Sequence, residues 1–211
     1  SLGSALHLKW LNLKDDERKL SKTEIHNSVF SKNTSQDSAG ACHVENSPNA
    51  VVSQSHFKEN KSTKASGGSI LLSCSSELSC QVDISSGELD SPHFQDNFAL
   101  ISGGAVSWTG IQPNIESDIK FLNNDSFYGQ DISGIPHTIV HLEDLDSTKV
   151  NLSGDTSNIS PQLTQLNLRS GQRLEDNFYF AIVDVYGQII KTDSDTVAQV
   201  LIPPTSNKNA K

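Results

Sequence analysis

The chain has 211 residues and a net charge of −9, and 35% of its residues are hydrophobic and 19% charged. No run of lysine and arginine is interleaved with aromatic residues, so this acidic sequence offers no footprint for a nucleic-acid partner. No apolar stretch approaches the ~20 residues of a transmembrane helix, so we expect no membrane span in this chain. The abundance of Ser, Thr, Asn, Asp and Gly favours an all-β chain of short strands separated by turns.

The first residues predict a structural unit ahead of the main repeats. Leu6 and Leu8 alternate with polar residues and, together with residues 10–13, indicate a preceding repeat. A charged turn over residues 14–19 follows it. The chain begins at Ser1 and contains no Met, so we interpret it as a processed product or a fragment of a longer protein.

A motif in which Phe is followed three residues later by Asn repeats through the middle of the chain. Its four copies are Phe30/Asn33, Phe57/Asn60, Phe94/Asn97 and Phe121/Asn124. The phenylalanines are 27, 37 and 27 residues apart, which lies in the period range of solenoid proteins. Stacking of such repeats predicts a buried Phe column and an Asn column whose amides hydrogen-bond from one repeat to the next.

Glycine-bearing segments after each pair predict tight corners, so we expect two short strands and two corners in each repeat. The ten extra residues of the longest interval lie between Ile70 and Phe94 and predict a protruding loop. That loop contains Cys74 and Cys80, whose closeness favours a disulfide in an oxidising compartment and leaves Cys42 unpaired. The alternative is three reduced structural thiols.

The glycine segments carry a resemblance to a known class of repeats. They are Ala39-Gly40-Ala41-Cys42, Gly67-Gly68-Ser69-Ile70 and Gly103-Gly104-Ala105-Val106, of which the last matches the pattern GGA[IV] in full. Paired with FxxN, this pattern resembles right-handed parallel β-helices of the pectin-lyase-like class, as in the polymorphic outer-membrane proteins of bacteria and large surface proteins of ciliates. The resemblance covers about residues 20–135. It implies a surface location, adhesive or coat-like roles and no catalytic residues.

After residue 135 the pattern changes to alternating strands of a β-sandwich, over residues 137–142, 162–168, 177–185 and 196–202. Residues 180–193 resemble the Ig-like segment that follows β-helix repeats in the ciliate surface proteins. Four or five strands fall short of the roughly seven of an Ig-type sandwich, so we expect this sandwich to be incomplete. The predicted organisation is parallel β-helix repeats in 1–135, an incomplete Ig-like β-sandwich in 136–204 and a tail in 205–211.

Two aligned pairs of residues are candidates for metal binding. His56 and His93 both precede a column Phe and are expected to stack on an outer face, but no third ligand is evident. Glu59 and Asp96 align similarly and could bridge a calcium ion, although neighbouring lysines favour a solvated face of mixed charge. A polysaccharide lyase or hydrolase would require a cluster of carboxylates on one face of the coil. No three carboxylates share one register in this sequence, so we expect no catalytic residue and no cofactor.

Five N-x-S/T sequons are candidates for glycosylation, at Asn33, Asn60, Asn124, Asn151 and Asn158. The first three belong to the Asn column, where an inward amide could not carry a glycan. Asn151 and Asn158 are therefore the expected acceptors.

Together these features predict a non-enzymatic extracellular structural or surface protein, acting as a stiff spacer or as a subunit of a surface coat or filament. We expect it to associate with another copy or with a longer polypeptide through sheet edges, with residues 6–13 or 196–202 as candidate donated strands. The alternatives are an adhesin that binds carbohydrate or protein, with glycans as possible partners, and a polysaccharide lyase or hydrolase.

Overall fold

A computed structural model describes residues 3–10, 21–86, 93–142 and 179–192. All regular secondary structure in these ranges consists of β-strands, which confirms the predicted all-β class. Four sheets of parallel strands make up most of this structure, and a fifth sheet of two strands is antiparallel. Among the described residues, no helix has the length and apolar character needed to cross a membrane.

The four parallel sheets, A to D, take their strands from successive passes of the chain. Sheet A contains β1 (Leu6–Lys9), β5 (Cys42–Glu45), β9 (Ile70–Ser73), β13 (Val106–Thr109) and β17 (Ile132–Ser133). Sheet B contains β2 (Thr23–His26), β6 (Ala50–Ser53), β10 (Val82–Ser85) and β14 (Asn114–Ile115). Sheet C contains β3 (Val29–Ser31), β7 (His56–Lys58), β11 (Phe94–Gln95) and β15 (Phe121–Leu122). Sheet D contains β4 (Thr34–Ser35), β8 (Lys61–Ser62), β12 (Phe98–Ser102) and β16 (Asp125–Tyr128).

From β2 onward the chain passes through sheets B, C, D and A in turn, and β17 completes the fourth such circuit. Each repeat therefore contributes four strands, so the expectation of two strands was wrong. The reason is a corner inside the Phe-x-x-Asn motif, where the residue before Asn has a left-handed backbone in every circuit. These residues are Lys32 (φ 59°), Glu59 (φ 54°), Asp96 (φ 53°) and Asn123 (φ 51°).

Columns of equivalent side chains from successive circuits form the core that the sheets enclose. Cys42, Ile70 and Val106 are register partners in sheet A and are fully buried. Because side chains alternate along a strand, one face of each strand supplies this core while the other face points outward. The parallel register thus places the chemically similar positions of each repeat on top of one another.

Close approach of the backbone between circuits requires glycine where sheet D leads into sheet A. A Cβ atom on Gly68 would overlap the carbonyl oxygen of Gly104 in the next circuit. The backbone N–H of Gly68 donates to the carbonyl oxygen of Gly103 at 3.0 Å. An alanine at position 68 would therefore push two circuits apart, which explains the glycine in this segment.

The insertion in the longest repeat is divided between two connections and does not form one loop. Ala50 and Val82 are register partners 32 residues apart, whereas Phe57 and Phe94 are register partners 37 residues apart. Part of the insertion, with both cysteines, therefore lies between β9 and β10, and the remainder lies between β10 and β11.

The fifth sheet pairs β18 (Pro136–Leu142) with β19 (Tyr179–Asp184). These strands coincide with two of the four segments predicted after residue 135. The predicted segments 162–168 and 196–202 and the tail 205–211 lie outside the described residues. A turn follows β19, in which Gly187 (φ 72°) donates its N–H to the carbonyl oxygen of Asp184 at 3.0 Å.

Candidate functional site

The asparagine column is a chain of side-chain hydrogen bonds that runs along the stack of circuits. The Nδ2 of Asn33 donates to Asn60 Oδ1 at 2.9 Å, that of Asn60 to Asn97 Oδ1 at 3.1 Å, and that of Asn97 to Asn124 Oδ1 at 2.9 Å. Each accepting Oδ1 also receives the backbone N–H of the preceding asparagine. One amide therefore satisfies two donors of the neighbouring circuit, so the column fixes the spacing between circuits.

The phenylalanine column lies one corner away from the asparagines. Phe30, Phe57, Phe94 and Phe121 stack with ring centroids 5.1, 5.0 and 5.2 Å apart and with nearly parallel planes. Phe57 and Phe94 are 1% exposed, whereas the two end rings are half-buried. The inner rings thus contribute burial and stacking on both faces.

A carboxylate ends the asparagine column at the last circuit. Asn124 Nδ2 donates to Asp131 Oδ1 at 2.9 Å, so Asp131 occupies the place of a fifth asparagine. Beyond it, the edge of β17 is covered in part by Gln188, whose Nε2 donates to the carbonyl oxygen of Ile132 at 2.8 Å.

The buried carboxylate of Asp184 joins the last circuit to the turn after β19. It accepts the backbone N–H groups of Gly134, Tyr186 and Gln188 and a side-chain N–H of Gln188. Next to it, Trp108 Nε1 donates to the hydroxyl of Tyr186 at 3.1 Å. These bonds hold the turn against the parallel sheets.

The first circuit also leaves strand edges. Within the described residues, β2, β3 and β4 pair with a strand on one side only, as β14, β15 and β16 do in the last circuit. Val29 in β3 is 72% exposed, and Phe30 beside it carries the half-buried first ring of the column. This end presents sheet edges together with apolar surface.

An open cleft of about 560 Å³ lies between the last circuit and the turn after β19. Phe127 projects into solvent at its rim, with Lys191 Nζ 5.9 Å from the ring centroid. Tyr128, Tyr186 and Gln188 contribute hydroxyl and amide groups to the walls. The cleft therefore combines an exposed aromatic ring with hydrogen-bonding groups.

Cys74 and Cys80 are joined by a disulfide, which closes the loop between β9 and β10. Cys42 is a free thiol in the core of sheet A. Burial raises the pKa of Cys42 to about 12, so this thiol stays protonated at neutral pH.

The structure places the predicted histidine pair side by side but buries one member. His56 and His93 stack with ring centroids 6.1 Å apart. His93 does not lie on an outer face as expected, because its ring occupies a corner between Ser86 and the next circuit. Its Nε2 lies 3.3 Å from the carbonyl oxygen of Ser86, and its Nδ1 accepts the backbone N–H of Lys120 at 3.3 Å. Burial lowers the pKa of His93.

The candidate calcium pair lies among cations and amides. Glu59 is 3.7 Å from the ammonium groups of both Lys32 and Lys58. Asp96 accepts a hydrogen bond from the side-chain amide of Asn123 at 3.3 Å. This arrangement is the solvated face of mixed charge that the neighbouring lysines in the sequence indicate.

A group of three metal-ligating residues on the outer face of sheet A was not found from the sequence. His7 in β1 and His43 in β5 stack with ring centroids 4.5 Å apart. Glu45 Oε2 lies 3.3 Å from His7 Nε2, and its Oε1 lies 2.7 Å from the ammonium of Lys9. The hydrogen bond from Lys9 lowers the pKa of Glu45, and burial lowers that of His43 to about 4. Alignment of Leu6-His7-Leu8 with Cys42-His43-Val44 would have revealed this group.

The predicted glycan acceptors Asn151 and Asn158 lie outside the described residues. Asn33, Asn60 and Asn124 use their side-chain nitrogens in the asparagine column.

Comparisons of the chain with protein-family models, with curated proteins and with solved structures found no match. Inferences about its function therefore rest on its own sequence and geometry.

Proposed function

We propose that the chain is a non-enzymatic structural module of an extracellular coat or filament, in which it acts as a stiff spacer. In this proposal residues 1–135 form a right-handed parallel β-helix, and residues 136–204 belong to an incomplete Ig-like sandwich. The handedness follows from the strong preference of crossovers between parallel strands for the right-handed form.

The observation that carries the proposal is the continuous asparagine column. From Asn33 to Asn124, the amides are hydrogen-bonded from each circuit to the next, in parallel with backbone bonds in all four sheets. Shear or separation of two circuits would break these bonds together. A module of this kind resists deformation along its axis, which is the property that a spacer needs.

Two further observations support the extracellular and assembly parts of the proposal. The Cys74–Cys80 disulfide is of the kind that persists in oxidising compartments. The edges of β2 and β3, with exposed Val29, offer backbone donors and acceptors to a strand of a second copy.

Sedimentation velocity of the full chain over a range of concentrations, followed by electron microscopy of the larger species, tests this assembly. We expect elongated oligomers from the wild type and a shift to monomer in Val29→Lys, because a charge on an edge strand opposes strand pairing. Leu100→Lys is the matched control, since Leu100 is 51% exposed but lies on β12, which has strands on both sides. A wild type that remains monomeric at about 100 µM would contradict self-assembly.

The cleft at the other end favours an adhesin as a second candidate function. Exposed Phe127 among hydroxyl, amide and ammonium groups suits a sugar ring, which presents both apolar and polar faces. Binding on a carbohydrate array that is lost in Phe127→Ala and kept in Phe180→Ala would support it. Phe180 is similarly exposed but lies on β19, outside the cleft lining.

A further inference from the structure

The three outward side chains His7, His43 and Glu45 meet because two strands from different circuits are in register. β1 and β5 pair His7 with His43 and Lys9 with Glu45. Residues two apart on a strand share a face, so both histidines and the carboxylate project from the same side of sheet A. The inward neighbours Leu8 and Val44 anchor the two strands in the core.

The distances within this cluster fit a common metal ion. One ligand atom from each of the three residues lies within 4.8 Å of the other two. Bonds of about 2.0 to 2.1 Å in a tetrahedral site place ligand atoms about 3.3 Å apart. The separation of His7 Nε2 from Glu45 Oε2 is 3.3 Å, so these two already have that spacing. The His43 nitrogen lies within 4.8 Å of both of these atoms, so a rotation of its ring toward them would complete the set.

Surrounding polar groups orient these ligands. Lys9 holds Oε1 of Glu45 at 2.7 Å, which leaves Oε2 directed at His7. The ring nitrogens of His43 contact Ser38 Oγ at 3.1 Å and Ser73 Oγ at 3.0 Å. Whichever nitrogen binds a metal, the other keeps a hydroxyl partner that fixes the ring, as outer-sphere residues do in metal sites.

We propose that His7, His43 and Glu45 bind a divalent transition-metal ion of the Zn²⁺ class. Two imidazoles and one carboxylate form a mixed N/O set that suits Zn²⁺, Co²⁺ and Ni²⁺ and leaves a fourth position for water or a ligand from a partner. The ion joins two circuits, so its binding fastens β1 to the stack. This site is separate from the proposed spacer function and does not depend on it.

Titration of the metal-free full chain with Co²⁺ and Zn²⁺ tests the site. We expect one equivalent of Co²⁺ to give the visible absorption of a tetrahedral complex. Added Zn²⁺ should displace the Co²⁺ and remove this absorption. Zn²⁺ should also raise the Tm of the protein. His7→Ala should weaken Zn²⁺ binding in calorimetry by at least tenfold and abolish the rise in Tm. Its side chain is 48% exposed, so this variant should fold. Glu45→Gln should also weaken binding.

The matched control is His56→Ala, which removes one histidine of the other stacked pair and should leave Zn²⁺ binding unchanged. Wild-type protein that fails to bind Zn²⁺ at 100-fold molar excess would overturn the proposal, and so would equal affinity of the wild type, His7→Ala and Glu45→Gln. If His56→Ala loses as much Zn²⁺ affinity as His7→Ala does, the ion binds elsewhere, and this result would also overturn the proposal.

Discussion

The inner and the end circuits carry the same Phe and Asn residues but give them different surroundings. Phe57 and Phe94 have a ring on each face and are 1% exposed, whereas Phe30 and Phe121 have one ring neighbour in their column. Asn60 and Asn97 are fully buried, whereas Asn33 is half-buried. Position within the stack, more than residue type, therefore decides how much each repeat contributes to stability.

Removal of an inner ring should have the largest effect. Phe57→Ala or Phe94→Ala deletes a buried ring between two others, and we expect the free energy of unfolding to fall by about 3 to 5 kcal/mol. Phe121→Ala removes a half-buried ring and should cost about half as much. Chemical denaturation of the three variants measures the difference. Similar losses at inner and end rings would contradict the contrast between them.

Removal of an inner amide should have the next largest effect. Asn97 Oδ1 accepts two hydrogen bonds from Asn60, from its backbone N–H at 2.9 Å and from its Nδ2 at 3.1 Å. Asn97→Ala leaves both donors buried without their acceptor, so we expect a loss of about 2 to 3 kcal/mol. Asn33→Ala orphans no described donor and should cost about 1 kcal/mol or less. A lower denaturation midpoint for Asn33→Ala than for Asn97→Ala would contradict this order.

The columns could be predicted because a spacing of 27 or 37 residues, shared by two residue types, is visible in the sequence. The corner that divides each repeat into four strands could not be predicted. Lys32, Glu59, Asp96 and Asn123 share a left-handed backbone but no side-chain chemistry, and none of them is glycine. The tertiary structure imposes this conformation, because the Asn that follows is fixed by its column.

The metal-ligand cluster was missed for a related reason. His7 and His43 are 36 residues apart, and the connection after β1 is longer than the equivalent connections after β5, β9 and β13. The period of the Phe motif therefore does not align them. The bonds of Asp184 to Gly134 and Gln188 were also beyond prediction, since they join segments with no shared pattern.

Substitution of the corner residues by valine should destabilise the protein by an amount that does not depend on position in the stack. Asp96 belongs to an inner circuit and Lys32 to the first, yet both have φ between 50° and 60°. A β-branched side chain is strained there, so Asp96→Val and Lys32→Val should each lower the free energy of unfolding by about 1 to 2 kcal/mol. Glycine at either position should be nearly neutral. An effect of valine confined to Asp96 would indicate packing of the inner circuit as the cause.

Acidification should have the smallest effect near neutral pH, and one part of it comes from His93 in an inner circuit; His43, whose pKa burial lowers to about 4, contributes with the same sign. The lowered pKa of His93 means that the folded protein binds this proton less readily than the unfolded chain does. The contribution of the neutral His93 ring to the free energy of unfolding is therefore fully present above the ordinary histidine pKa of about 6.5, and it falls as the pH drops below that value. Protonation would also convert Nδ1, which accepts the N–H of Lys120, into a second donor facing a donor. The charged neighbours of the ring oppose one another, since His56 and Lys120 lower its pKa and Asp118 raises it.

Thermal unfolding of the wild type and His93→Gln between pH 7.5 and 5 measures this contribution. Gln keeps a donor and an acceptor but does not titrate, so the variant should be less stable at pH 7.5 and should lose less Tm on acidification. His56→Gln, which changes the more exposed member of the stacked pair, should retain the pH dependence of the wild type. If His93→Gln and the wild type lose the same Tm, the neutral ring of His93 contributes nothing to the acid sensitivity, and the inner circuits differ from the ends in packing alone.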